Sequence, residues 1–153
     1  MRIFELHQDQ TLAAPLERVF AFFSDAANLE AITPPFLKFH IVSPRPIQMK
    51  VGTLIDYTLR LHGIKFRWRS RISVWEPGIR FIDEQVRGPY RQWIHEHTFQ
   101  AVPGGTRVTD HVRYAVPGGA LINRLFVRPQ LDMIFRHRAA ATQRLIVLDH
   151  GAS

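Results

Sequence analysis

The stretch Ile64-Lys65-Phe66-Arg67-Trp68-Arg69-Ser70-Arg71-Ile72-Ser73-Val74-Trp75 decides the fold. Side chains of a strand point alternately to opposite faces. Phe66, Trp68, Ser70, Ile72 and Val74 therefore share one face, and Lys65, Arg67, Arg69 and Arg71 the other. The pattern predicts a half-buried antiparallel strand with a cationic outer surface. Upstream, residues 52–61 place Ile55, Tyr57, Leu59 and Leu61 on one face, and His62-Gly63 marks the tight turn between the two strands. Downstream, Pro77-Gly78, Gly88-Pro89 and Pro103-Gly104-Gly105 separate three more alternating runs, residues 79–87, 90–102 and 106–116. Closely spaced strands joined by short turns predict a meander.

The flanks complete the order of elements. Residues 2–12 alternate, with Ile3, Glu5 and His7 opposite Phe4, Leu6 and Gln8, and predict a first strand. Pro15 near a first turn, followed by Leu16, Val19, Phe20 and Phe23 at helical spacing, predicts a helix. Ser24-Asp25 ends it and caps a second, short one through Asn28, Leu29 and Ile32, which stops before Pro34-Pro35. Residues 36–43 read as a further strand, closed by Pro44 and Pro46. After Pro117-Gly118-Gly119 the period becomes helical, through Leu121, Leu125, Phe126, Leu131, Ile134, Phe135 and Leu145. Pro129 is expected to kink or interrupt that helix.

Strand, two short helices, six strands and a long helix make an α+β domain over residues 1–150. The last helix must cover the concave apolar face of the sheet. A strongly curved sheet around one helix leaves space between them, so an internal cavity is expected.

Composition narrows the function classes. The 153 residues contain no cysteine, which excludes disulfides, thiolate metal sites and a Cys nucleophile. The start, Met1-Arg2-Ile3-Phe4-Glu5, does not read as a signal peptide, and no apolar run approaches the ~20 residues that span a bilayer. A cytoplasmic protein is expected. The net charge is +7, and only Lys38, Lys50 and Lys65 are lysines, so the excess is arginine. The arginines are spread over many segments, which reads as solvated faces rather than a nucleic-acid site.

Several strings in this order carry a resemblance. They are Ala14-Pro15-Leu16-Glu17-Arg18-Val19-Phe20, Trp75-Glu76-Pro77, Gly88-Pro89-Tyr90-x-x-Trp93, Gly104-Gly105-Thr106-x-Val108-x-Asp110 and Val112-x-Tyr114. Over nearly its whole length the chain resembles the helix-grip superfamily of START domains, birch-pollen-allergen-like proteins and polyketide cyclases (SRPBCC). Trp93-x-His95-x-His97-x-Phe99 and Ile134-Phe135-x-His137-Arg138 resemble a small bacterial subgroup. The resemblance implies a hydrophobic ligand pocket. It does not imply one activity, since such folds host carriers, hormone binders, cyclases and chaperone activators.

Trp93, His95, His97 and Phe99 share a strand face. If the aromatics face the cavity, so do the histidines. Asp110 shares parity with Val108, Val112 and Tyr114, and Asp83 and Gln85 with Phe81. His95, His97, Asp83 and Asp110 are the candidate catalytic set, since a carboxylate orients a histidine and tunes its pKa. The same four could instead satisfy one another in a buried network, or the histidines could face outward with Ile94 and Thr98 inside. His-x-His with a carboxylate also fits zinc or iron, but spacing assigns no third ligand, and neither metal nor cofactor is expected. Tyr57, Trp68, Phe81, Gln85, Trp93, Phe99, Tyr114, Phe126 and Phe135 are the expected ligand contacts. His137, flanked by Arg136 and Arg138, reads as a solvated helix face. His7, His40, His62, His111 and His150 read as isolated, and Arg60 and Arg113 as surface arginines.

Three functions follow, in this order: a binder of a lipid-like, aromatic or polyketide-like molecule; a cyclase or dehydratase using the His/Asp set; and a stress- or division-related interaction module using the cationic face. The expected partner is a small hydrophobic ligand, with no nucleic acid and no integral membrane association. Open sheet edges allow a homodimer.

Overall fold

The computed structural model describes residues 1–148. Asp149 and His150, the last two residues of the expected 1–150 domain, lie outside them. Seven strands form one antiparallel sheet in the order β1-β7-β6-β5-β4-β3-β2. They are β1 (Phe4–Leu12), β2 (His40–Ile41), β3 (Leu54–Leu61), β4 (Ile64–Glu76), β5 (Arg80–Arg87), β6 (Gln92–Val102) and β7 (Gly105–Ala115). Helices α1 (Leu16–Ser24) and α2 (Ala27–Ile32) follow β1, as the order of the sequence requires. The fold is the helix-grip arrangement of a curved antiparallel sheet with a long C-terminal helix.

β1 joins β7 across the full length of the chain, with Phe4 opposite Tyr114 and Leu12 opposite Thr106. Gly105 makes the approach possible, because a Cβ there would overlap the Leu12 carbonyl. Beside it the Thr106 hydroxyl donates to the Ala14 carbonyl at 2.8 Å.

The run expected as a strand at residues 36–43 is mostly something else. Pro35–Leu37 is a single 3-10 turn, Lys38 takes the left-handed conformation, and only His40–Ile41 pairs with β3. Proline presets the turn and offers no N–H to a ladder.

A second departure lies in β4. Ile72 faces Asp83 and Val74 faces Ile82, so Ser73 is an extra residue. Such a bulge inverts the alternation beyond it. Trp75, not Val74, packs into the core, against Phe20 and Phe81.

The C-terminal helix runs from α3 (Gly119–Ile122) through a π-wound segment, Asn123–Val127, into α4 (Arg128–Thr142) and a second π-wound segment, Gln143–Leu148. Pro129 lies in the first turn of α4. It has no N–H for a carbonyl four residues back. The helix accommodates it by widening its winding just before, rather than by stopping. Gln8 and Gln10 of β1 tie the helix to the sheet edge, donating to the carbonyls of Phe135 (3.1 Å) and Ala139 (2.6 Å).

The interior has three apolar clusters. One gathers Val19, Phe23, Ile72, Phe81 and Phe99, a second Val112, Tyr114, Leu131 and Phe135, and a third Ala26, Ile41 and Ile55. Members of all three line one cavity.

Candidate functional site

The cavity has a volume of about 150 Å³. A hollow of roughly that size holds a benzene-sized guest. Its walls are mainly apolar: Ile55, Leu59 and Trp68 from the sheet, Leu37 and Met49 from the connections, Leu131 and Phe135 from α4. One end is polar, where Asp83, His95, His97 and Arg138 reach it.

Strand parity brings the polar end together. His95 stands opposite Asp83 on β5 and Val112 on β7; His97 stands opposite Phe81 and Asp110. The short contacts then run diagonally. His95 Nε2 lies 2.7 Å from Asp110 Oδ1, and His97 Nε2 lies 2.7 Å from Asp83 Oδ2. The straight-across contacts are longer, 3.9 Å for His95 Nδ1 to Asp83 and 3.6 Å for His97 Nδ1 to Asp110. Phe81, His97 and His95 form one stack, with centroid spacings of 4.1 and 3.7 Å. The outward-facing alternative for the histidines is thereby overturned: both are at most 3% exposed.

The charge states follow from the partners. Burial pushes Asp110 upward, but the Arg138 charge and the hydrogen bond from His95 outweigh it and hold the carboxyl below its usual range. Burial opposes ionisation of Asp83 too, and the His97 hydrogen bond with the two imidazoles overcomes it, leaving that carboxyl lowered as well. Burial depresses His97 to about 4, helped by the neighbouring His95 and only partly offset by Asp83. A neutral His97 that donates from Nε2 to a carboxylate has its lone pair on Nδ1. Arg138 Nη2 lies 3.4 Å from that nitrogen and donates to it. The same Nη2 is 3.8 Å from Asp110. The guanidinium also rests over the Phe23 and Phe135 rings, at 5.7 and 5.9 Å.

The network is thus closed on itself. Among the described residues no buried side-chain nitrogen or oxygen lacks a partner. Asp83 Oδ1 and the remaining Arg138 donors are the polar atoms left for a guest. Asp83 keeps 19% and Arg138 14% of its side chain exposed.

Asp83, His95 and His97 place their ligand atoms within 4.8 Å of one another, which supplies the third metal ligand that spacing could not assign. The guanidinium of Arg138 on the same His97 repels a divalent ion, so these residues do not fit a metal. On the outer face Glu5, His7 and His111 also converge, with His111 Nε2 3.0 Å from Glu5 Oε1. His7 and His111 are therefore stacked neighbours rather than isolated histidines.

Tyr57, Trp68, Phe81, Trp93 and Phe135 line the cavity as expected, and four other expected contacts do not. Gln85 is spent on the β5–β6 turn, donating to the Tyr90 carbonyl (2.7 Å) and accepting from the Tyr90 N–H (3.0 Å). Phe99 is packed against Phe20 and Phe23 in the core. Tyr114 is fully buried and donates to Asn123 Oδ1 at 2.7 Å. Phe126 is half exposed, against His62. Asp110 stands behind the histidines and meets the guest space only through them. Arg60 and Arg113 are exposed, as expected of surface arginines.

Sequence reasoning missed Arg138, which is half-buried at the cavity rather than part of a solvated face, and Tyr90, Ile134 and Ser70. Ser70 Oγ accepts from Trp68 Nε1 at 3.0 Å and lies 3.3 Å from the Tyr57 hydroxyl. Ser70 did carry a signal in the sequence: it is a lone small polar residue on an otherwise apolar strand face. The cationic face of Lys65, Arg67, Arg69 and Arg71 lies on the other side of the sheet, with Arg69 bound to Asp56 at 2.7 Å.

A curved sheet gripping a helix over an apolar cavity with one polar end defines a helix-grip ligand-binding protein class. The model of the family described as "Polyketide cyclase / dehydrase and lipid transport" matches residues 12–142, and the chain belongs to that family. No curated protein matches by sequence. Among solved structures, a protein from Chromobacterium violaceum is similar with a TM-score of 0.72 and 19% identity, covering 95% of this chain and 98% of its own. The Zhui aromatase/cyclase from Streptomyces sp. R1128 gives 0.67 and 16%, covering 95% and 92%. Norcoclaurine synthase from Thalictrum flavum gives 0.71 and 14%, covering 98% and 97%. At these identities the likeness is one of fold. Among the described residues no helix is long and apolar enough to cross a membrane.

Proposed function

We propose that this protein binds a small, largely apolar ring compound carrying one acceptor oxygen, a carbonyl, phenolate or carboxylate, directed at Arg138. The observation that carries this reading is the single polar end of an otherwise apolar cavity, where Arg138 has donors to spare while both histidines are already paired. Apolar walls supply affinity and one placed charge supplies orientation. The volume favours a monocyclic guest over a polycyclic one. Titrating the protein with benzoate-like, phenolic and uncharged monocyclic compounds, followed by quenching of Trp68 and Trp93, tests it. Saturable quenching that favours the oxygen-bearing compounds is expected. No binding across the panel, with native mass spectrometry of the host-purified protein also showing no guest, overturns the proposal.

A second reading is a cyclase or dehydratase. It is favoured by Asp83, which meets the cavity while bound to His97. An ionised Asp83 would accept a proton α to a guest carbonyl while Arg138 holds the developing enolate oxygen. Replacing His95 and His97 together by Gln should abolish turnover of such a guest with the fold retained, and unchanged turnover removes this reading.

A further inference from the structure

We infer that the outer side of the C-terminal helix is a docking surface for an anionic lipid bilayer. Leu121 is 57% exposed, Leu125 52% and Phe126 50%, and Ile64 at the tip of the β3–β4 hairpin is 61% exposed. These are not scattered residues. Leu121 and Leu125 are neighbours four apart on one helix, and the Phe126 ring meets His62 of the hairpin turn at 6.0 Å. Turn and helix therefore form one apolar surface, which Pro129 and Met133, both exposed, extend along α4. Contiguous exposed apolar surface of this kind marks an interaction site.

Charge selects the partner. Arg124 flanks Leu125, and at the hairpin tip Lys65 and Arg60 stand opposite one another on the outer side of the sheet, next to Ile64, with Arg60 bonded to the Gly63 carbonyl at 3.2 Å. Asp132 is the only acidic residue in 119–148, and it is bound to Arg128 at 3.0 Å. Apolar side chains rimmed by unneutralised cations fit the interface of a membrane with acidic headgroups, where each Lys or Arg contributes attraction. An apolar face closing on a second copy would place these cations against each other.

The surface borders the cavity. Leu61, one residue before His62, and Leu131 and Ile134, on the turns after Phe126, all line it. Docking would thus present the gap between β3 and α4 to the lipid, and an apolar guest would pass without crossing water. Only this last step rests on the ligand-binding reading; the docking does not.

Sedimentation with vesicles of phosphatidylcholine alone and with a quarter phosphatidylglycerol tests the surface. The protein should partition onto the anionic vesicles, less so as salt rises. Leu125→Asp with Phe126→Asp should lower that partition about tenfold or more. Arg124→Glu with Lys65→Glu, which leaves the apolar residues in place, should lower it too. Thermal melting checks that each variant is folded, and quenching by a cavity probe in solution should be unchanged. Equal partition of the folded variants, no partition of the parent protein, or a dimer that the Leu125/Phe126 variant converts to monomer would each overturn the inference. If no probe enters the cavity yet partition behaves as stated, the docking stands and the ligand reading fails.

Discussion

His95 and His97 stack face to face, their centroids 3.7 Å apart, yet each hydrogen-bonds to a carboxylate on a different flanking strand. The pair thereby links β5, β6 and β7 through side chains as well as through the ladder. Its energetics depend on the protonation of three groups at once.

The pH dependence follows with a definite sign. Burial keeps His97 neutral in the folded protein down to about 4, whereas unfolded histidine takes up its proton near 6.5. Between those values the unfolded chain binds more protons, so stability falls as pH falls. Asp83 and Asp110, held low in the fold, extend the loss to more acid pH. The melting temperature should drop by several degrees between pH 7.5 and 4.5, and His97→Phe should flatten that slope. A flat profile in the parent protein would mean that His97 takes up its proton at the same pH folded as unfolded, contradicting the effect assigned to its burial.

Asp110→Ala should be among the most damaging single changes. It leaves His95 buried without its carboxylate and takes a counter-charge from Arg138. Removing one partner of a buried pair costs about 3–5 kcal/mol. Urea unfolding measures it, and a loss under 1 kcal/mol would contradict the assigned geometry.

Ser70→Ala removes one oxygen but affects two aromatic side chains. The Trp68 N–H loses its acceptor and the Tyr57 hydroxyl loses a partner. An unsatisfied buried donor costs about 1–3 kcal/mol. The emission of Trp68 should shift as its N–H seeks water, and Ser70→Thr, which keeps the hydroxyl, should restore most of the loss.

Arg138→Gln separates orientation from packing. Binding of a carboxylate-bearing guest should weaken at least about tenfold, the worth of one charge-assisted hydrogen bond. An uncharged guest of the same shape should bind nearly as before. Equal weakening of both, read by tryptophan quenching, would make Arg138 a support for His97 rather than a contact for the guest.

Much of this was legible because a strand has a period of two. Parity grouped Asp83 with Phe81, His95 and His97 with Trp93 and Phe99, and Asp110 with Tyr114, while the inward side rested on those aromatics; the hydrogen bonds show the four polar groups together. The helix gave less. Arg138 lies in a segment that reads as charged surface, and no short period distinguishes one arginine that reaches the cavity from the exposed Arg136 and the half-buried His137 beside it. Phe126 shares its exposed side with Leu121 and Leu125, and helical spacing groups the three without saying which side of the helix meets the sheet. Gln85 has the inward parity expected of it, but a turn five residues wide captured its amide. Residues 36–43 looked like a strand by composition, and two prolines set a turn instead.

The extra residue in β4 has a bearing on how this chain tolerates change in length. Opposite β5, every other position from Ile72 to Glu76 has a counterpart, and Ser73 alone has none. Deleting Ser73 should leave Trp68, Ser70 and Ile72 on one side of it and Trp75 on the other still facing inward. Deleting any one residue between Arg67 and Arg71 should instead turn half the strand over, driving arginines toward the hollow. One strand thus contains both a site where the chain can be shortened by a single residue and a stretch where it cannot.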